Sequence, residues 1–391
     1  MDKSPSLINR YPVLLGISLF ILSTVFCWLM FLKYGSANIF YVLNVMYLLC
    51  IVLFIIGAMK YKDVNLITGI LLSVASLLFI MALFDFYLIT FCYETSGPGG
   101  EHVISHRNWH NKFVWKNEQG FWERSLAAFE KTDRRNKGLV IAVVGDSFTW
   151  GQGIKGNKHR FTEQLEEKLN ASLSEGKRIA VLNFGRGGAD TRQEIQIVRE
   201  AVAKIHPDIV IICYLSNDID SGSFAGHWEK YGNTGEKLSS ITPTVNYFYW
   251  RFIGLLKYHH IGRKYMESLV EAYNNPKTFQ KHQDELRTLI TEIKAMGAQP
   301  IFVILPFPQM WKLFPKSTRD DIYNHIAASL RQEQVPVIDL SYMEEKYPLE
   351  KFQVNSADAH PNEKMHAEFA GALYQWLVNN EGYKDLLEER K

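Results

Sequence analysis

The chain has 391 residues, with 43 Lys and Arg against 41 Asp and Glu and a formal net charge of +2. That length holds one large domain or two smaller ones, and the near-neutral balance gives no electrostatic basis for binding nucleic acid. The four cysteines, Cys27, Cys50, Cys92 and Cys213, suggest no disulfide framework, because the first two fall in long apolar runs. No nucleotide-binding or structural-metal signal is present, and no cofactor is expected.

Residues 13–32 and 39–59 carry no charge, and residues 64–91 carry only Asp85. A helix of about 20 apolar residues crosses a bilayer core, so residues 1–92 are expected to form three transmembrane helices. The first run is too long for a cleaved signal peptide, and Trp28, Met30 and Phe31 suit a cleavage site poorly. Lys3 and Arg10 precede the first helix, Lys33 follows it, and Lys60 and Lys62 separate the second from the third. This pattern predicts a multi-pass protein of the cytoplasmic (inner) membrane with a cytoplasmic N-terminus and an extracytoplasmic or periplasmic domain after residue 93. Asp85, close to the end of its run, is expected at the membrane interface.

Residues 93–138 form a connecting segment. SGPGG at 96–100 marks a hinge, and Trp109, Phe113, Trp115, Phe121 and Trp122 follow it. His102, His106 and His110 recur at every fourth residue, a spacing that can serve metal binding. No carboxylate pattern completes a site, so no metal is assigned to them. From residue 139 the pattern alternates. Apolar runs at 138–147, 178–185, 208–215, 299–305 and 335–340 predict about five buried parallel strands. Stretches at 161–173, 191–204, 280–296, 319–332 and 362–379 have helical spacing. Such alternation predicts a parallel sheet covered by helices on both faces. An insertion at about 220–279, aromatic-rich over 245–265, interrupts it. A lid, a substrate wall, a surface resting on the bilayer and extra helices on the core all fit that composition.

Four short pieces fall at the C-terminal ends of predicted strands, the edge where open α/β sheets bind ligands. In VVGDSFTWGQG, Gly145 permits a sharp turn that presents Ser147 as a nucleophile. In NFGRGGADT, Gly185, Gly187 or Gly188 can turn a backbone N–H into a cleft. In YLSNDID, Asn217 can donate its amide to an oxyanion. In NSADAHPNEKMH, Asp358 and His360 precede the last helix. Together they supply the parts of an acyl-transfer site: Ser147 attacks, His360 takes its proton, Asp358 holds the imidazole, and Ser147 N–H, Gly188 N–H and the Asn217 amide receive the oxyanion. Asp146 and Asp218 are read as turn carboxylates, and His366 as solvated.

In this order the four pieces resemble the four blocks of the SGNH (GDSL) hydrolase superfamily, with Gly188 the best match to its oxyanion glycine. The resemblance spans about residues 139–380. It implies a flavodoxin-like three-layer α/β/α domain at 139–391 and activity on esters. Two local features depart from the family pattern. Asp358 and His360 are separated by one residue where Asp-x-x-His is common, and Leu215 stands where Gly often precedes the asparagine by two. The expected function is a membrane-anchored serine esterase or acyl (acetyl) transferase. Its partners would be an acylated glycan or lipid-linked substrate, the bilayer, and a membrane protein docked on the helices, with no nucleic acid. The rival is a non-catalytic or weakly catalytic accessory protein that docks a membrane complex through its transmembrane helices and uses the hydrolase domain as a binding platform.

Overall fold

The structure, a computed structural model, describes residues 11–96, 100–132, 138–171, 173, 178–219 and 235–383. Lys3 and Arg10, the centre of the 96–100 hinge, and residues 220–234 of the insertion lie outside the described residues. The described residues fall into two compact units, Met1–Lys112 with Gly232–Tyr258, and Phe113–Tyr231 with His259–Lys391.

The first unit contains α1 (Pro12–Tyr34), α2 (Ile39–Lys60) and α3 (Asn65–Phe91), each long and apolar enough to cross a membrane. Pro12 suits the first turn, where its missing N–H costs nothing. Gly35 ends α1 in the left-handed region at φ 67°, its N–H donating to Phe31 O at 2.8 Å. Phe31, Phe40, Leu43 and Tyr47 are buried between the helices, whereas Leu22, Leu77 and Leu83 face outward. Gly57 permits close packing, since a Cβ there would stand 2.8 Å from Val13 Cγ2. At the end of α3, the Asn108 amide donates to Leu88 O, Ile89 O and Cys92 O at 3.1–3.2 Å, satisfying carbonyls that the helix leaves free.

The second unit is built on β1 (Leu139–Gly145), β2 (Ile179–Gly185), β3 (Ile209–Tyr214), β4 (Gln299–Ile304) and β5 (Val337–Asp339), all parallel in the order β2-β1-β3-β4-β5. This is the flavodoxin-like order. Every residue of β1, β2 and β3 is buried, which explains why these strands read as unbroken apolar runs rather than alternating ones. The Phe161–Ala171 helix packs with Glu363–Asn379, and Thr191–Ile197 with Pro276–Ala295. Several elements differ in extent from those expected, and one was not expected at all. The helix expected from residue 280 begins at Pro276, because Asn275 caps it by accepting from Lys277 N and Thr278 N. A two-stranded antiparallel ribbon, β6 (Gln353–Asn355) with β7 (Asp358–Pro361), precedes the last helix.

Candidate active site

β1 ends at Gly145 and the chain turns at once into a four-residue helix, Ser147–Trp150. Glycine is required at two places around it. A Cβ on Gly145 would lie 2.2 Å from Thr149 Oγ1, and one on Gly185 would lie 2.3 Å from Trp150 N. The short helix therefore sits directly against the ends of two strands. Asn183 of β2 fastens it by donating to Thr149 O at 2.7 Å. Asp146 caps its start, its Oδ1 accepting from Phe148 N at 2.8 Å, so it is the turn carboxylate expected. It does more than that: its Oδ2 accepts from Asn217 Nδ2 at 3.4 Å and lies 3.4 Å from Ser147 Oγ.

Ser147 Oγ lies 2.8 Å from His360 Nε2. The other ring nitrogen of His360 is hydrogen-bonded to Asp358 Oδ1, which also accepts the His360 backbone N–H at 3.2 Å. Asp358 and His360 are both on β7. Residues two apart on a strand project to the same side, so the one-residue spacing places carboxylate and imidazole side by side. Gln152 Nε2 donates to Asp358 Oδ2 at 3.3 Å. Asp358 is fully buried and His360 is 9% exposed, with the Phe148 ring 5.2 Å from the imidazole.

The remaining pieces follow adjacent strands, since β2 and β3 both flank β1. Gly188 has φ +72° and lies in the turn closed by Ala189 N donating to Arg186 O. Positive φ at that third turn position suits glycine. Among the described residues nothing lies within 4 Å of where a Cβ would be. Asn217 follows β3 on a turn that Asp218 holds by accepting from Leu215 N at 2.7 Å. Asn217 Oδ1 has no hydrogen-bond partner among the described residues. Leu215 is buried in the core.

Burial works to lower the basicity of His360, but the Asp358 charge and hydrogen bond, aided by Asp146, outweigh it and hold the imidazole above its ordinary value of 6.5. Burial raises the Asp146 carboxyl, against the Phe148 N–H and the His360 charge, which lower it. Behind the site, Glu194 and Asp218 are fully buried and both are pushed well above the carboxylate range, first by burial and then by the charges of neighbouring carboxylates.

His366 corrects an expectation. It is fully buried rather than solvated, its Nδ1 accepting from Phe161 N at 3.1 Å, and burial lowers it to about 3. It shares a helix face with Phe369, Ala370 and Leu373, which lie three, four and seven residues on. His106 accepts from Ser96 N, and Ile104–Phe113 carries His106 and His110, while His102 lies in the turn Gly100–His102. Sequence reasoning left Gln152 without a role, although it lies in the quoted serine piece. It also missed Tyr273, whose hydroxyl donates to Ser216 O at 2.9 Å and meets Tyr214 Oη at 2.6 Å. Neither contact has a sequence signal, since both depend on distant elements meeting.

With these positions fixed, the sequence matches the profile of the GDSL-like lipase/acylhydrolase family over residues 143–368, more than half of its length. The chain belongs to this family. Similar solved structures include the lipase/acylhydrolase from Enterococcus faecalis, 15% identical with a TM-score of 0.39, covering 61% of this chain and 95% of that one. TesA is 14% identical at a TM-score of 0.39, covering 61% and 98%. The acetyl xylan esterase AlAXEase is 13% identical at 0.40, covering 61% and 100%. No curated protein matches the chain.

Proposed function

We propose that the protein is a membrane-anchored serine esterase or acyl (acetyl) transferase acting through an acyl-serine intermediate on an extracytoplasmic glycan or lipid-linked ester. The observation that carries this reading is the 2.8 Å approach of His360 Nε2 to Ser147 Oγ, with the far side of the imidazole held by Asp358. Ser147 Oγ attacks the acyl carbon and passes its proton to Nε2. The oxyanion is received by Ser147 N–H, Gly188 N–H and the Asn217 amide, which leaves the Asp146 carboxylate to do so. Collapse expels the alcohol with the proton from His360, and water or an acceptor hydroxyl reverses the sequence. The three apolar helices support anchoring, and anchoring motivates a surface glycan or lipid as the substrate.

The test is turnover of short-chain aryl esters and acetylated glycans by the full chain. Ser147→Ala is expected to lose about 10⁴-fold or more in kcat, and Asn217→Ala about 10²–10³-fold. Wild-type turnover from Ser147→Ala, or full cellular function in a Ser147→Ala/His360→Ala chain, would defeat the enzymatic reading and favour a binding platform.

A further inference from the structure

Residues 235–258 of the insertion belong to the unit of α1–α3, and they carry an exposed apolar stripe. Helical backbone runs from Pro243–Tyr249 through a π turn, Trp250–Gly254, into a helix starting at Leu255. Its inward positions, Asn246, Trp250 and Gly254, recur every four residues and are buried. Asn246 accepts from Ile104 N at 2.9 Å and donates to His102 O at 2.7 Å. The outward positions are Val245, Phe248, Phe252, Ile253 and Leu256, between 42% and 73% exposed. A soluble protein rarely leaves such a run of large apolar side chains in water.

Asp85 fixes this helix to α3. Its Oδ1 accepts from Thr244 N at 2.7 Å and Thr244 Oγ1 at 2.6 Å, so a carboxylate serves the first turn of the helix, where N–H groups lack partners. The 27 residues of α3 extend about 40 Å, against a hydrocarbon core of about 30 Å. Asp85 is about 30 Å along α3 from Asn65, which puts it at the boundary of that core when the charged turn holding Lys60, Lys62 and Asp63 marks the opposite one. The stripe continues from the outward side of α3 without a break: the Phe84 ring stacks toward Tyr87, lies 6.0 Å from Phe248, and Phe248 stacks on Phe252 at 6.2 Å. Arg251, next to Phe252, instead pairs with Glu94 at 2.8 Å.

We infer that residues 243–256 form an interfacial helix whose Phe248, Phe252 and Leu256 embed in the acyl chains of the adjacent leaflet. Asp85 is then an anchor for that helix at the interface where the sequence places it. Depth, continuity with the outward face of α3 and the spacing of the apolar side chains all select lipid as the occupant. The inference rests on the membrane-spanning reading of α1–α3.

Nitroxide labels attached to single cysteines test it in the full chain, with the four native cysteines replaced, reconstituted into phosphatidylcholine–phosphatidylglycerol vesicles. Labels at Phe248→Cys, Phe252→Cys and Leu256→Cys are expected to collide with oxygen more than with a water-soluble nickel complex. A Leu77→Cys label on α3 should do the same, and an exposed Lys294→Cys label the reverse. If Leu77 reads as lipid while the three stripe positions read as water, the interfacial helix is wrong and the spanning helices stand. If Leu77 also reads as water, the membrane reading itself fails. If the stripe labels are shielded from both colliders, a protein surface covers them and the lipid assignment is overturned.

Discussion

His360 draws its chemistry from opposing forces. Burial disfavours its charged form, and the paired Asp358 carboxylate favours it by more. The neutral imidazole is the base, so activity rises as pH climbs through the folded-state pKa, which is held above 6.5. The acid limb of kcat/KM for an aryl acetate is therefore expected above pH 6.5. Asp358→Asn should move it downward, because the main raising influence is gone while burial remains. A wild-type limb below 6.5, or one that Asp358→Asn leaves in place, would contradict the assignment. The same sign governs folding: this group adds stability below pH 6.5, and that contribution is lost as pH rises through the raised value. His366 acts oppositely. With a folded value of about 3, its stabilising contribution is present above pH 6.5 and is lost as pH falls toward 3.

The junction between β1, the end of β2 and the Ser147–Trp150 helix sets where the serine stands. Gly185→Ala drives a Cβ into the Trp150 backbone rather than into a flexible side chain. The short helix must then shift, at about 1–3 kcal/mol as for other overpacked sites. Thermal unfolding should start at lower temperature and aryl-ester kcat should fall, whereas Gly187→Ala, 3.8 Å from the Trp150 ring, should change neither much. Equal effects from the two substitutions would contradict this junction. β1, β2 and β3 were legible because each is a compact apolar run buried on both faces. The ribbon of β6 and β7 was not, since it is short, polar and only partly alternating. It nonetheless resolves the Asp-x-His departure, because only an extended strand brings residues two apart to one side. His366 was misread because a lone polar residue inside an apolar helix stripe carries no mark of what it meets; its partner, Phe161 N, is 205 residues away in sequence. Gln152 and Tyr273 were invisible for the same reason.

At the scale of the molecule, the chain joins a GDSL-like hydrolase domain to three apolar helices and returns part of its insertion to the helical unit. The three helices were plain in the sequence, as apolar length is a compositional signal. That residues 235–258 belong with them was not, because Asp85 and Thr244 are separated by 159 positions and meet only in the fold. The chain's working identity still turns on one oxygen atom. A fluorophosphonate probe applied to the full-length protein in native membranes, with the adduct mapped by peptide mass spectrometry, reads it directly. The expected result is a single adduct on Ser147, absent from Ser147→Ala and formed far more slowly in His360→Ala. An adduct on another residue, or equal labelling of wild type and Ser147→Ala, would contradict it.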